Sequence, residues 1–188
     1  MDEMPQQPPA SGSKNKMWMI LGVIILLLLA GWWAFSKLGR KAGEKAVEGA
    51  IEKAAGGKAD VNYNNDGSVD IKTDEGSAST SGQLPDNWPN DVPVYTDSAI
   101  TYSGSTNPQT GAAGAAIIFT NSASAKTILD YYKKELTAQG WTIEQTAASG
   151  GVTVLTAAKD QRKVGLAITE SGGMSQATLG IEMPAANQ

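Results

Sequence analysis

The chain contains no cysteine and no histidine. Without cysteine there is no disulfide, no thiolate metal site, no cysteine nucleophile and no thioether to carry a lipid. Without histidine, the commonest general base near neutral pH and the commonest transition-metal ligand are both missing. Charge is also scarce: Asp, Glu, Lys and Arg make up 18% of the residues, with 15 basic against 19 acidic and a net charge of −4. A chain with no basic excess has little to offer a phosphate backbone, so nucleic acid is excluded as an expected partner. No cofactor motif is present. Gly111-x-x-Gly114 lacks the Lys-Ser or Lys-Thr that completes a phosphate-binding loop.

Apolar residues, by contrast, are concentrated. Met17 to Phe35, MWMILGVIILLLLAGWWAF, carries no charge. As a helix it would span ~28 Å, close to the ~30 Å hydrocarbon core of a bilayer. Trp18 and the pair Trp32 and Trp33 stand at its two ends, where headgroups favour indole rings. A cleaved signal peptide is the rival reading, with Ala34 and Ser36 small enough for a cleavage site. The length of the run and the bulky tryptophans favour a retained anchor. The sequence-based expectation is therefore a single transmembrane helix over residues 17–35, with membrane lipid as a partner and localisation as a single-pass cell-membrane protein. The low-charge, Ser/Thr/Gly/Ala-rich composition of residues 77–188 places the C-terminal domain outside the cytoplasm. Counting positive charges gives the opposite orientation, since Lys37, Arg40, Lys41 and Lys45 outnumber Lys14 and Lys16.

Around that run the chain divides into segments. Residues 1–16, rich in Pro, Gln and Ser, read as a disordered tail. Residues 36–57 read as a membrane-proximal helix with a thin stripe of Val47, Ala50, Ile51 and Ala54. Residues 58–82 read as a hairpin and a linker. Val61–Tyr63 and Ser68–Lys72 alternate about an Asn64-Asn65-Asp66-Gly67 turn, and Gly76–Gly82, GSASTSG, has the composition of a flexible linker. Asn62, Asn64, Asp66, Gly67 and Asp70 imitate part of a calcium loop, but Thr73 stands where a bidentate Glu is needed. Turn chemistry accounts for the same residues.

Residues 83–188 carry the strongest periodicity. Pro85, Pro89 and Pro93 make a stiff extended lead-in, with Leu84, Trp88, Val92, Val94 and Tyr95 placed to pin it down. Ala123 to Gln139 reads as one helix, capped by Ser122, with Ala125, Ile128, Leu129, Tyr132 and Leu136 inward. Gly140 stops it and Trp141 folds back on its last turn. Six strands are expected: Ala99–Tyr102, Ala115–Thr120, Trp141–Thr146, Val152–Ala157, Val164–Thr169 and Ala177–Met183. Period two puts Val152 and Val154, Val164, Leu166 and Ile168, and Ala177, Leu179 and Ile181 inward. The fold class is α+β: after the N-terminal transmembrane helix, an antiparallel ββαββββ sheet with one helix packed on one face.

Pro93-Val94-Tyr95, Phe119-Thr120-Asn121-Ser122 and Asp130-Tyr131-Tyr132-Lys133-x-x-Leu136-x-x-x-Gly140-Trp141 resemble uncharacterised bacterial envelope proteins. These hold a small extracytoplasmic α+β domain behind a membrane or lipoprotein anchor. The resemblance implies a fold and a place in the envelope; an envelope protein is the partner expected if the domain is an interaction module. It carries over no catalytic or binding residue.

Candidate chemistry is thin. Glu144 and Glu182 form a glycosidase-like pair only if their strands are adjacent, and Ser122 or Ser124 with Lys126 would be the Ser–Lys option. No catalytic, cofactor or metal residue is assigned. The expected function is a membrane-anchored extracytoplasmic binding or protein-interaction module, not an enzyme; the alternative is an envelope enzyme acting on cell-wall or polysaccharide substrate. The expected interaction face is the side of the sheet away from the helix, a row of Thr and Gly with Ile118 and Leu155 as apolar exceptions and Thr169 beside them.

Overall fold

The computed structural model describes residues 58–74, 76–106 and 113–184, together with residues 45, 48, 49, 52 and 53, which are helical. The tail at 1–16, the apolar run at 17–35 and the stripe of Val47, Ala50, Ile51 and Ala54 lie outside the described residues.

Among the described residues, nine strands form one antiparallel sheet. They are β1 Ala59–Tyr63, β2 Val69–Thr73, β3 Gly76–Ser79, β4 Ala99–Thr106, β5 Ala113–Asn121, β6 Thr142–Ser149, β7 Val152–Lys159, β8 Arg162–Ser171 and β9 Met174–Glu182. The spatial order is β1-β2-β3-β4-β5-β9-β8-β7-β6. One helix, α1, spans Ala125–Ala138 between β5 and β6. The expected ββαββββ sheet is corrected on this point: it continues through three further strands. The 58–82 hairpin is part of it, and the Gly-Ser-Ala-Ser start of the expected linker is β3. Strand pairing uses backbone groups that every residue carries, so a run of small polar residues can complete a sheet. Here side chains reinforce it. Ser77 N donates to Ser105 Oγ (2.7 Å), and Val69 N donates to Thr80 Oγ1 (2.9 Å).

The single-pass membrane localisation and the transmembrane helix expected from the sequence are also corrected, as far as the described residues reach. Among the described residues no helix is long and apolar enough to cross a membrane. α1 has 14 residues, about 21 Å of helix, and carries Lys126, Asp130, Lys133, Lys134 and Glu135.

α1 forms where the periodicity places it, but it starts two residues later. Ser124, not Ser122, is the N-cap, its Oγ accepting from Thr127 N at 3.2 Å. The C-terminus matches the sequence reading. Gly140 takes φ +83°, its N–H reaches Thr137 O, and Trp141 N–H reaches Leu136 O at 2.9 Å. These are the paired bonds that close a helix at a left-handed glycine.

Residues directly opposite across a ladder share a face. Ile117, Leu179, Leu166 and Leu155 form one such row, and Ala115, Ile181, Val164 and Ala157 another. Both rows are fully or almost fully buried, against Ile128, Tyr132 and Leu136 of α1. β7 therefore takes the opposite phase from the expected one: Leu155 and Ala157 point inward, while Val152 is 36% exposed. β7 is apolar in both phases, and the unambiguous β8 row of Val164, Leu166 and Ile168 decides between them. The Pro-rich lead-in lies beside α1 on the same side. Val92, Trp88, Val94 and Tyr95 join the core, whereas Leu84 is 41% exposed and does not. A second, smaller cluster, Val61, Val69 and Ile71, lies on the other side of the sheet.

Candidate functional site: an open polar groove

The interior between α1 and the sheet is filled. Ile117, Phe119, Ile128, Tyr132 and Leu136 are all fully buried there. Open space lies instead where the helix-side cover ends. A groove of ≈ 440 Å³ runs between the β1–β3 face and the segment from Ser81 to Asp86.

Its floor follows from register. Asn62 pairs with Asp70, Asp70 with Ser79, and Ser79 with Ser103. These four residues therefore form a polar row across β1 to β4, at ~4.8 Å per strand. A second row runs Asp60, Lys72, Ser77. Ser103 belongs to the side of the sheet that holds the apolar core, since it pairs with Ile117. The core's side of the sheet thus continues past β5 as a polar surface.

Part of this floor is held in place internally. Asp70 accepts from Asn64 Nδ2 at 2.8 Å through one oxygen and from Ser79 Oγ through the other. Ser79 Oγ also contacts Ser81 Oγ at 2.8 Å, and Asn64 Nδ2 reaches Ser68 Oγ at 2.9 Å. The hairpin turn is fixed by Asp66 Oδ1, which accepts from Ser68 N and Oγ and so holds the Asp66 carboxyl below its usual value. Of the residues that imitate a calcium loop, Asn64 and Asp70 thus bond to each other and Asp66 bonds to Ser68.

Ser103 differs from its neighbours. It is only 3% exposed and lines the groove, and while its backbone pairs with β3 and β5, its hydroxyl makes none of the side-chain hydrogen bonds found among the described residues. No side-chain oxygen or nitrogen among the described residues is both fully buried and unpaired. The Ser103 hydroxyl therefore opens onto the groove.

The other constellations are structural. Asp91, in the lead-in, receives a bidentate Arg162 at 2.9 and 2.7 Å and Lys159 at 2.7 Å. The Arg162 guanidinium beside it is the main cause holding the Asp91 carboxyl at about 2. Trp141 Nε1 donates to Asp91 O at 3.0 Å, and Arg162 lies over the Trp141 ring at 4.9 Å. This clamp fastens the lead-in to β7 and β8. Burial raises the Tyr132 phenol, whose oxygen accepts from Tyr95 N at 3.3 Å. Tyr131 packs edge-on to Tyr95 and Tyr132 and donates to Val94 O. A second hollow at the start of α1 is closed to anions by the protein itself, because Glu170 Oε1 accepts from Ala125 N.

Glu144 and Glu182 are kept apart, since β8 and β7 stand between their strands. Ser124 is spent on capping, and Lys126 pairs with Asp130. Of the expected interaction face, Ile118 and Thr169 do lie on the side away from α1, in register with Thr178 and with Val152. Leu155 lies on the opposite side, fully buried. The three residues are not brought together. The sequence reading missed Asp70, Ser79 and Ser103 as a group. Alternation in the hairpin does place Asn62, Asp70 and Lys72 on one face, but nothing local adds Ser79 or Ser103.

Residues 101–177 match a START domain-like family model. The match takes in most of β4, all of β5 to β8, α1 and the start of β9, less than half of the 188 residues. START-like domains are usually binding domains, so this segment reads as a ligand-binding or interaction module. Ser103 and Gly104 of the groove lie inside the matched segment, and the rest of its lining precedes it. No curated protein and no solved structure matches the chain.

Proposed function

We propose that the chain is a non-enzymatic ligand-binding module whose site is the groove between β1–β3 and Ser81–Asp86. The observation that carries this reading is Ser103: a hydroxyl on a side chain 97% removed from solvent, unpaired, at the floor of a concavity. Open to the groove, that hydroxyl is free to pair with water or, in water's place, with a ligand atom. The row of Asn62, Asp70 and Ser79 beside it is positioned by its own hydrogen bonds and so loses little freedom on binding. The filled core directs the ligand to the polar surface rather than to the space under α1. A binding role also fits the chemistry present, since Lys72 is exposed to water and Asp70 is engaged by neutral donors.

The test is an amide-resolved NMR titration of the full chain against a mixture of small polar compounds. Shifts concentrated at Asn62, Asp70, Ser79 and Ser103 are expected. Shifts concentrated at Ile118 and Thr169 would move the site to the other face of the sheet and overturn the proposal.

A further inference from the structure

The groove's charge is unbalanced at one point. Asp70 is half-buried, and both of its oxygens accept from neutral groups, Ser79 Oγ and Asn64 Nδ2. The ion pairs among the described residues do not include it. Lys72 is two residues on and shares its face, but it stands in the other row, between Asp60 and Ser77. A partly desolvated carboxylate with no cation costs stability unless something compensates it. Two strands away in the same row lies the unpaired Ser103 hydroxyl, which can accept as well as donate. With strands ~4.8 Å apart, a group seated over Ser79 is within reach of both.

The geometry points to an organic cation as the ligand class: a primary ammonium or guanidinium seated over Ser79, donating to Asp70 and to Ser103 Oγ. This inference rests on the groove being the binding site. An ammonium or guanidinium brings several N–H donors and no acceptor, which suits a carboxylate flanked by a free hydroxyl. The groove lining includes no aromatic residue, so cation–π attraction and stacking on a sugar face play no part. Charge-assisted hydrogen bonding is what remains.

Three probes separate the outcomes: N-acetyl-lysine methylamide, its uncharged norleucine counterpart, and the glutamate counterpart. Each is titrated into the full chain and followed by amide shifts. The lysine amide is expected to move Asp70, Ser79 and Ser103, to bind more weakly as salt rises, and to lose about tenfold in affinity in Asp70→Asn. Ser103→Ala should cause a smaller loss, and it tests the same seat should Asp70→Asn fail to fold. Equal binding of the norleucine amide, preference for the glutamate amide, or an affinity unchanged in both variants would overturn the cation, while shifts still confined to the groove would leave the binding site standing. Shifts confined to Ile118 and Thr169 would overturn both. No shift with any probe in the folded wild-type chain would overturn the cation.

Discussion

Asp91 is the residue on which the most distant parts of the chain converge. Its carboxylate gathers Arg162 and Lys159 from the β7–β8 turn, and its carbonyl accepts the indole N–H of Trp141. Each of the three charged side chains is about a quarter or less exposed. Asp91→Ala would leave two partly desolvated cations without a partner, at a cost of roughly 1–3 kcal/mol after allowance for solvent screening. Urea midpoints at neutral pH would measure it. The pH dependence has a definite sign. The folded carboxyl is held at about 2, below its ordinary value of 3.8. Its contribution is therefore complete above the unfolded value and is lost as pH falls toward about 2. The gap in stability between wild type and Asp91→Ala should be full at neutral pH and narrow across that acid window. A gap that stayed constant would mean that the clamp acts by packing alone.

At the scale of elements, legibility depended on whether a segment offered one solution or two. The end of α1 offered one: a glycine that accepts positive φ, followed by an apolar residue able to fold back. β8 offered one as well, Val164, Leu166 and Ile168 against the small or polar alternates Lys163, Gly165, Ala167 and Thr169. β7 offered two, and its neighbour chose. The choice predicts a contrast. Leu155→Lys should destabilise by several kcal/mol, because it places a charge in the fully buried row with Leu166 and Leu179. Ile118→Lys, on the half-exposed opposite face, should cost far less. Thermal melts of the two variants side by side would check it, and similar losses would contradict the observed phase. β3 offered no periodicity at all. Gly-Ser-Ala-Ser has the composition of a linker, and only the backbone partners on either side make it a strand. The groove was illegible for the same reason, since its floor exists only once β3 aligns Asp70 with Ser103.

At the scale of the whole molecule, the described residues form two hydrophobic clusters of unequal size, one on each side of the sheet. The larger involves α1, the lead-in and β4 to β9; the smaller is Val61, Val69 and Ile71 in the β1–β2 hairpin. β3 and β4 share only two register pairs, Ala78 with Gly104 and Ser79 with Ser103. A fragment from Gln83 to Gln188 is therefore expected to melt cooperatively, at a lower temperature than the full chain because the edge of β4 is uncovered. Calorimetry would check this, and a fragment with no cooperative transition would show that the hairpin is needed for the larger core. The strand order has a kinetic consequence. Of the described strands, β9 is the last to leave the ribosome, yet it sits between β5 and β8. Until it arrives, β1 to β5 and the β6–β8 meander are two separate half-sheets, each with an inner edge unsatisfied. Assembly must wait for synthesis to reach Glu182. The nascent chain is therefore most open to mispairing with other chains just before the final strand closes the gap.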